Sequence, residues 1–120
     1  MMAEGFLTTH ILDTAHGVPA HDVRIVLYRL EENSRIPIAE MRTNADGRTD
    51  RPILPQEAFV IGRYELEFHI GAYFAARVPN LPEPNFLNVI PVRFGISDAC
   101  AHYHVPLLVS PYSFATYRGS

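Results

Sequence analysis

Among six histidines in the chain, two fall where an idle imidazole is costly. His10 and His104 each sit in the middle of a segment that reads as a β-strand, on a partly apolar surface where an unpaired polar ring lowers stability. Histidine changes charge near neutral pH, so a held imidazole there suits proton transfer. His16 and His21 flank the Gly17-Val18-Pro19-Ala20 turn and His69 lies on a hydrophilic strand face, and these three read as surface residues without catalytic duty. His102 and His104, two apart in His102-Tyr103-His104, share one strand face, and with His10 they would make a zinc-hydrolase arrangement. No carboxylate neighbours them in sequence, and no metal is expected.

Arg48 closes the turn Asn44-Ala45-Asp46-Gly47-Arg48. Asp-Gly and Asn favour tight turns, so this guanidinium would be presented by a fixed loop. It can hold a flat anion through paired hydrogen bonds, although a solvated surface arginine has the same local signature. No Gly-x-Ser-x-Gly elbow is present. The closing residues Tyr117-Arg118-Gly119-Ser120 follow the β-prone stretch Ser113-Phe114-Ala115-Thr116, so they read as held at a strand end and not as a frayed tail.

These residues need rigid elements to position them. Ten prolines and seven glycines are spread along 120 residues and cut the sequence into short segments of alternating or apolar character, the pattern of an all-β sandwich or barrel. Strands are predicted at roughly 6–13, 23–32, 36–44, 63–70, 87–95, 102–110 and 113–118, with a short one near 53 and about two turns of helix at 71–78. In 63–70, Tyr64, Leu66, Phe68 and Ile70 form one face, and Arg63, Glu65, Glu67 and His69 form a face expected to be wet. Segments 6–13 and 102–110 differ. Behind their inner faces lie mixed outer ones, Phe6, Thr8, His10 and Leu12 on one, His102, His104, Pro106 and Leu108 on the other. A sandwich has one inner face per strand, so these outer faces are expected to meet a second subunit.

Composition narrows the function. Residues 1–120 make one domain by size. Ten basic against thirteen acidic residues give a formal charge of -3, without the basic run that would track a nucleic acid. No apolar stretch reaches membrane-spanning length, there is no secretory leader pattern, and the single Cys100 cannot form an intrachain disulfide. A cytoplasmic location is expected.

Four stretches together resemble a known family: Leu7-Thr8-Thr9-His10-Ile11-Leu12-Asp13-Thr14-Ala15-His16-Gly17-Val18-Pro19-Ala20, Asn44 to Arg48, His102-Tyr103-His104-Val105-Pro106-Leu107-Leu108-Val109-Ser110-Pro111, and Tyr117-Arg118-Gly119-Ser120. They are similar to the transthyretin-related 5-hydroxyisourate hydrolases over essentially the whole chain. The resemblance implies a transthyretin-like two-sheet sandwich of about eight strands with one short helix, assembled as a homotetramer, a dimer of dimers with a central channel. It implies hydrolysis of 5-hydroxyisourate in urate catabolism without a cofactor, with His10, Arg48, His104 and Ser120 catalytic. Tyr117, Arg118 and Gly119 would join them around the substrate, and Ser120 would orient Arg48 or a histidine. The terminal tetrapeptide separates such enzymes from hormone-carrying transthyretins, which hold lysine, glutamate and two threonines where this chain has His10, Arg48, His104 and Tyr117. A carrier of a small aromatic ligand is the alternative.

Overall fold

A computed structural model describes residues 4–120. Where the sequence alternates, the chain forms strands: β1 (Phe6–Asp13), β2 (Val18–Pro19), β3 (Arg24–Glu31), β4 (Ser34–Arg42), β5 (Gly62–His69), β6 (Val89–Ile96), β7 (His102–Val109) and β8 (Phe114–Thr116), with one helix, α1 (Ile70–Ala75), between β5 and β6. They form two four-stranded sheets, ordered β2-β1-β7-β8 and β4-β3-β5-β6. Leu7, Ile11, Leu107 and Val109 of the first sheet meet Ile25, Leu27, Leu66, Phe68 and Ile90 of the second in one core. This is the expected all-β sandwich. No helix among the described residues is long and apolar enough to cross a membrane.

The pairing that matters for the site is β1 with β7, which run parallel with Phe6 opposite His102, Thr8 opposite His104 and His10 opposite Pro106. Leu7, Thr9 and Ile11 point inward and are buried, leaving Phe6, Thr8, His10 and Leu12 half-buried on the outside. On β7, Tyr103, Val105, Leu107 and Val109 are buried on the inner face, and the outer face runs from exposed His102 through half-buried His104 and buried Pro106 to half-buried Leu108.

Several local expectations are corrected. β2 was not expected; Val18 and Pro19 pair with Asp13 and Leu12 in a two-residue bridge across the turn, too short to leave an alternation. Near position 53 there is no strand, only an isolated pairing in which the Leu7 amide donates to the Leu54 carbonyl at 2.9 Å. The helix starts at Ile70 and ends at Ala75, and one turn beyond it the Val78 amide still donates to the Phe74 carbonyl at 2.7 Å. The outer face of β5 is not uniformly wet. Glu65 is only 2% exposed, because Arg35 of β4 and Arg93 of β6 fold over it and donate to its carboxylate at 2.6 and 3.0 Å.

His16 is also more engaged than a surface turn residue. Asp13, 1% exposed at the end of β1, accepts hydrogen bonds from the His16 amide at 3.0 Å and the Tyr73 hydroxyl at 2.8 Å, and its carboxylate lies 2.6 Å from His16 Nδ1. Burial alone would raise the Asp13 pKa, but the bonds from His16 and Tyr73 outweigh it and hold it below the usual value. Burial and the bond to Asp13 push Tyr73 up to about 12. With its folded pKa depressed, Asp13 contributes its full stabilisation at neutral pH, and this is lost as pH falls through the folded value. Tyr73→Phe removes one bond to a charged acceptor and is expected to lower unfolding free energy by about 1.5–3 kcal/mol, measured by urea denaturation at pH 7. A midpoint equal to wild type would show that the bond contributes nothing.

Candidate active site

Three elements converge on the outer face of the β1–β7 pair. The first is the Asn44–Arg48 turn. Asn44 Oδ1 accepts from the amides of Asp46 (2.9 Å) and Arg48 (3.2 Å), and the Asn44 amide donates to the Arg48 carbonyl at 2.7 Å. Gly47 takes φ +75°, and a side chain there would strike the Ile11 carbonyl, so both conformation and space require glycine. The Gly47 carbonyl accepts from the Ile11 amide at 2.8 Å, and Arg48 forms an isolated backbone bridge with His10. Turn and strand are thereby fixed to each other.

The second element is β7, which carries His102 and His104. The third is the segment after β8. Leu107 pairs with Thr116, and three residues back along β7 and three on along the tail, His104 pairs with Gly119 in the same register. The Gly119 amide donates to the His104 carbonyl at 2.7 Å. The register puts Pro106, which has no N–H to offer a ladder, opposite Tyr117, so regular pairing stops at Thr116. A side chain at Gly119 would have its Cβ 2.6 Å from His104 Cδ2, hence the tail can lie against the imidazole only with glycine at that position.

Together these elements line a cavity of about 340 Å³ bounded by Thr8, Thr9, Arg48, Thr49, Asp50, Arg51, Pro52, His102, His104 and Ser120. That lies in the range of small-molecule sites, about 300–1,000 Å³. His10 stands beside it, tied to Arg48 through the backbone bridge. Tyr117 and Arg118 do not line this cavity within the chain. They border another, with Val92, Phe94, Tyr103 and Val105, and the Arg118 guanidinium lies 4.0 Å from the centre of the Tyr103 ring. The tail thus contributes Ser120 to one cavity and Tyr117 and Arg118 to the other, with Gly119 between them against His104.

The electrostatics favour neutral imidazoles. His104 is held below the ordinary histidine value first by burial, then by the positive charge of Arg48 and by His102 and His10. His10 is lowered by burial and Arg48, partly opposed by Asp46. Such a ring remains an unprotonated base at neutral pH, beside a fixed cation able to hold an anionic edge or a developing oxyanion. Among the described residues, no group of three or more His, Cys, Asp or Glu side chains is arranged to hold a metal ion. His102 Nε2 and His104 Nδ1 are both engaged by the Thr8 hydroxyl, at 2.6 and 2.8 Å. Reading the sequence alone missed Thr8 and the Thr49–Pro52 wall. Thr8 had one visible signal, its place on the same outer face as His10, but its opposition to His104 depends on a strand register that alternation does not specify.

Comparison with known proteins bears on the family and the fold. Residues 7–119 match the model of the HIUase/Transthyretin family. The chain is 55% identical over 120 residues to 5-hydroxyisourate hydrolase 2 of Rhizobium meliloti (strain 1021), covering the whole of both chains. Among solved structures, (S)-allantoin synthase superposes with a TM-score of 0.91 at 48% identity over 99% of this chain, which spans only 45% of that protein. Transthyretin from Sparus aurata superposes at 0.83 with 28% identity, over 94% of this chain and 95% of that one. The fold is therefore common to proteins of different names. By the extent of these matches, the chain belongs to the HIUase/Transthyretin family.

Proposed function

We propose that this protein hydrolyses 5-hydroxyisourate to 2-oxo-4-hydroxy-4-carboxy-5-ureidoimidazoline, using a water activated by histidine and no metal. The observation that carries the reading is the cavity itself, where a neutral His104 with a lowered pKa shares one wall with Arg48 and Ser120. The full-length similarity to a protein named as a 5-hydroxyisourate hydrolase supports it.

The chemistry follows from the residues. His104 takes a proton from water as the oxygen attacks a carbonyl carbon of the six-membered ring. Arg48 stabilises the negative charge that develops on the carbonyl oxygen. Collapse breaks the ring C–N bond, and the imidazole returns its proton to the departing nitrogen. His10, beside Arg48, orients the substrate or shares the proton transfer, and Ser120 hydrogen-bonds at the cavity edge. Tyr117 and Arg118 border the substrate only where another subunit brings its own tail to this face. We propose that assembly is a dimer of dimers, which would cover the half-exposed Phe6, Leu12 and Leu108 of the outer face. The proposed location is the cytoplasm.

The test is the decay of freshly generated 5-hydroxyisourate followed by ultraviolet absorbance. Wild-type protein should speed it well beyond buffer alone. Decay at the buffer rate would overturn the hydrolase reading and favour a carrier of a small aromatic ligand. Gly119→Ala gives a finer check, because the added methyl must displace either the tail or the His104 ring. A misplacement of this scale costs about 10²-fold in rate, so turnover should collapse while the circular dichroism spectrum remains that of wild type. Unimpaired turnover would mean that the contact between tail and imidazole is irrelevant to the reaction.

A further inference from the structure

We propose that Thr8 is a positioning residue whose hydroxyl fixes the tautomer of His104 and links it to His102 as the outer end of a proton relay. This rests on the reading of His104 as the base and adds two residues to it.

Thr8 Oγ1 lies 2.6 Å from His102 Nε2 and 2.8 Å from His104 Nδ1, both hydrogen-bond distances. The parallel register sets Thr8 directly opposite His104 and Phe6 opposite His102. The His102 ring stacks on Phe6 with centroids 4.2 Å apart and planes 13° from parallel, so it is held in place although it is exposed. Two fixed rings thus share one hydroxyl.

A hydroxyl has one hydrogen and two lone pairs, which limits the arrangements. If Thr8 donates to His102 Nε2, it accepts from His104 Nδ1–H, and His104 Nε2 carries a free lone pair, as a base requires. If the chain of bonds runs the other way, His104 Nε2 is already protonated and cannot accept. Only the first direction leaves His104 Nε2 able to accept a proton, so it is the one that the proposed reaction requires. When His104 Nε2 takes the proton from water, Nδ1 can pass its own to Thr8 Oγ1 while the Thr8 hydroxyl proton moves to His102 Nε2. The net result is one proton gained by His102, a neutral His104 protonated at Nε2, and an unchanged hydroxyl. As the departing nitrogen takes the Nε2 proton the two transfers run backward, His102 Nε2 returning a proton to Thr8 Oγ1 and Thr8 returning one to His104 Nδ1, so that both rings regain their starting state.

The experiment compares wild type with Thr8→Val, which preserves shape and β-branching, with Thr8→Ser, which preserves the hydroxyl, and with His102→Phe, which retains an aromatic ring against Phe6 but has no acceptor. Nitrogen-15 NMR of labelled histidine reads the His104 tautomer without substrate, and steady-state kinetics reads turnover. Wild type and Thr8→Ser should show His104 protonated at Nδ1, and Thr8→Val should lose that preference. Thr8→Val and His102→Phe should lose about tenfold or more in kcat with KM little changed, and Thr8→Ser should recover most of the loss. An unchanged tautomer in Thr8→Val, or equal losses in the Val and Ser variants, would overturn the role of Thr8; full turnover in His102→Phe would overturn the relay. Wild-type protein inactive toward 5-hydroxyisourate would instead defeat the hydrolase reading, with the tautomer result still deciding what Thr8 does.

Discussion

His104→Ala is expected to reduce catalysed decay of 5-hydroxyisourate by about 10²- to 10⁴-fold, the usual contribution of a positioned general base. The expectation rests on geometry before pKa. The imidazole lines the cavity together with Arg48 and Ser120, its Nδ1 is engaged by Thr8, and its backbone is held by Gly119. With Nδ1 engaged by Thr8, Nε2 is the ring nitrogen left to act as the base. Because the side chain is half-buried on the outer face, its loss leaves no cavity in the core, and the thermal midpoint should change little. The comparison with His10→Ala is informative, since His10 feels the same Arg48 charge but is tied to the turn and not to the tail. A His104→Ala rate within threefold of wild type, with His10→Ala taking the full loss, would move the base to His10.

How much of this was legible in the sequence depends on what each inference required. Strand faces follow from period-two alternation, so the inward sets of β1 and β7 and the outward placement of His10 and His104 were readable before any coordinates. Partners across strands were not. The register placing Thr8 against His104 arises from long-range pairing, and a shift of one residue would have faced Thr8 elsewhere. Glu65 misleads for a related reason: alternation put it correctly on the outer face of β5, but its burial comes from Arg35 and Arg93 on adjacent strands. The tail illustrates both limits. Its attachment to a strand end was visible in the β-prone residues before it, yet its division between two cavities follows from the pairing with β7, where Gly119 meets His104 and Arg118 meets the Tyr103 ring.

Arg48→Gln should separate two duties of the same guanidinium. Removing a donor that stabilises a developing oxyanion costs about 10²- to 10³-fold in kcat, and that loss should appear on the pH plateau. The second effect concerns the acid limb. His104 and His10 both lie below the ordinary value of 6.5, first through burial and next through the Arg48 charge. A positive neighbour disfavours the imidazolium, so deleting it raises both pKa values, while burial continues to oppose protonation. Activity requiring a neutral imidazole should therefore begin to fail at a higher pH in Arg48→Gln than in wild type as the solution is acidified. Arg48→Lys supplies the contrast. It restores a positive charge without the flat, two-pronged donor, so its acid limb should stay near that of wild type while its plateau remains depressed. Should both variants shift the acid limb equally, the charge of Arg48 would not be what tunes the imidazoles. If neither depresses the plateau, the guanidinium has no part in the transition state and serves only to hold the turn against β1.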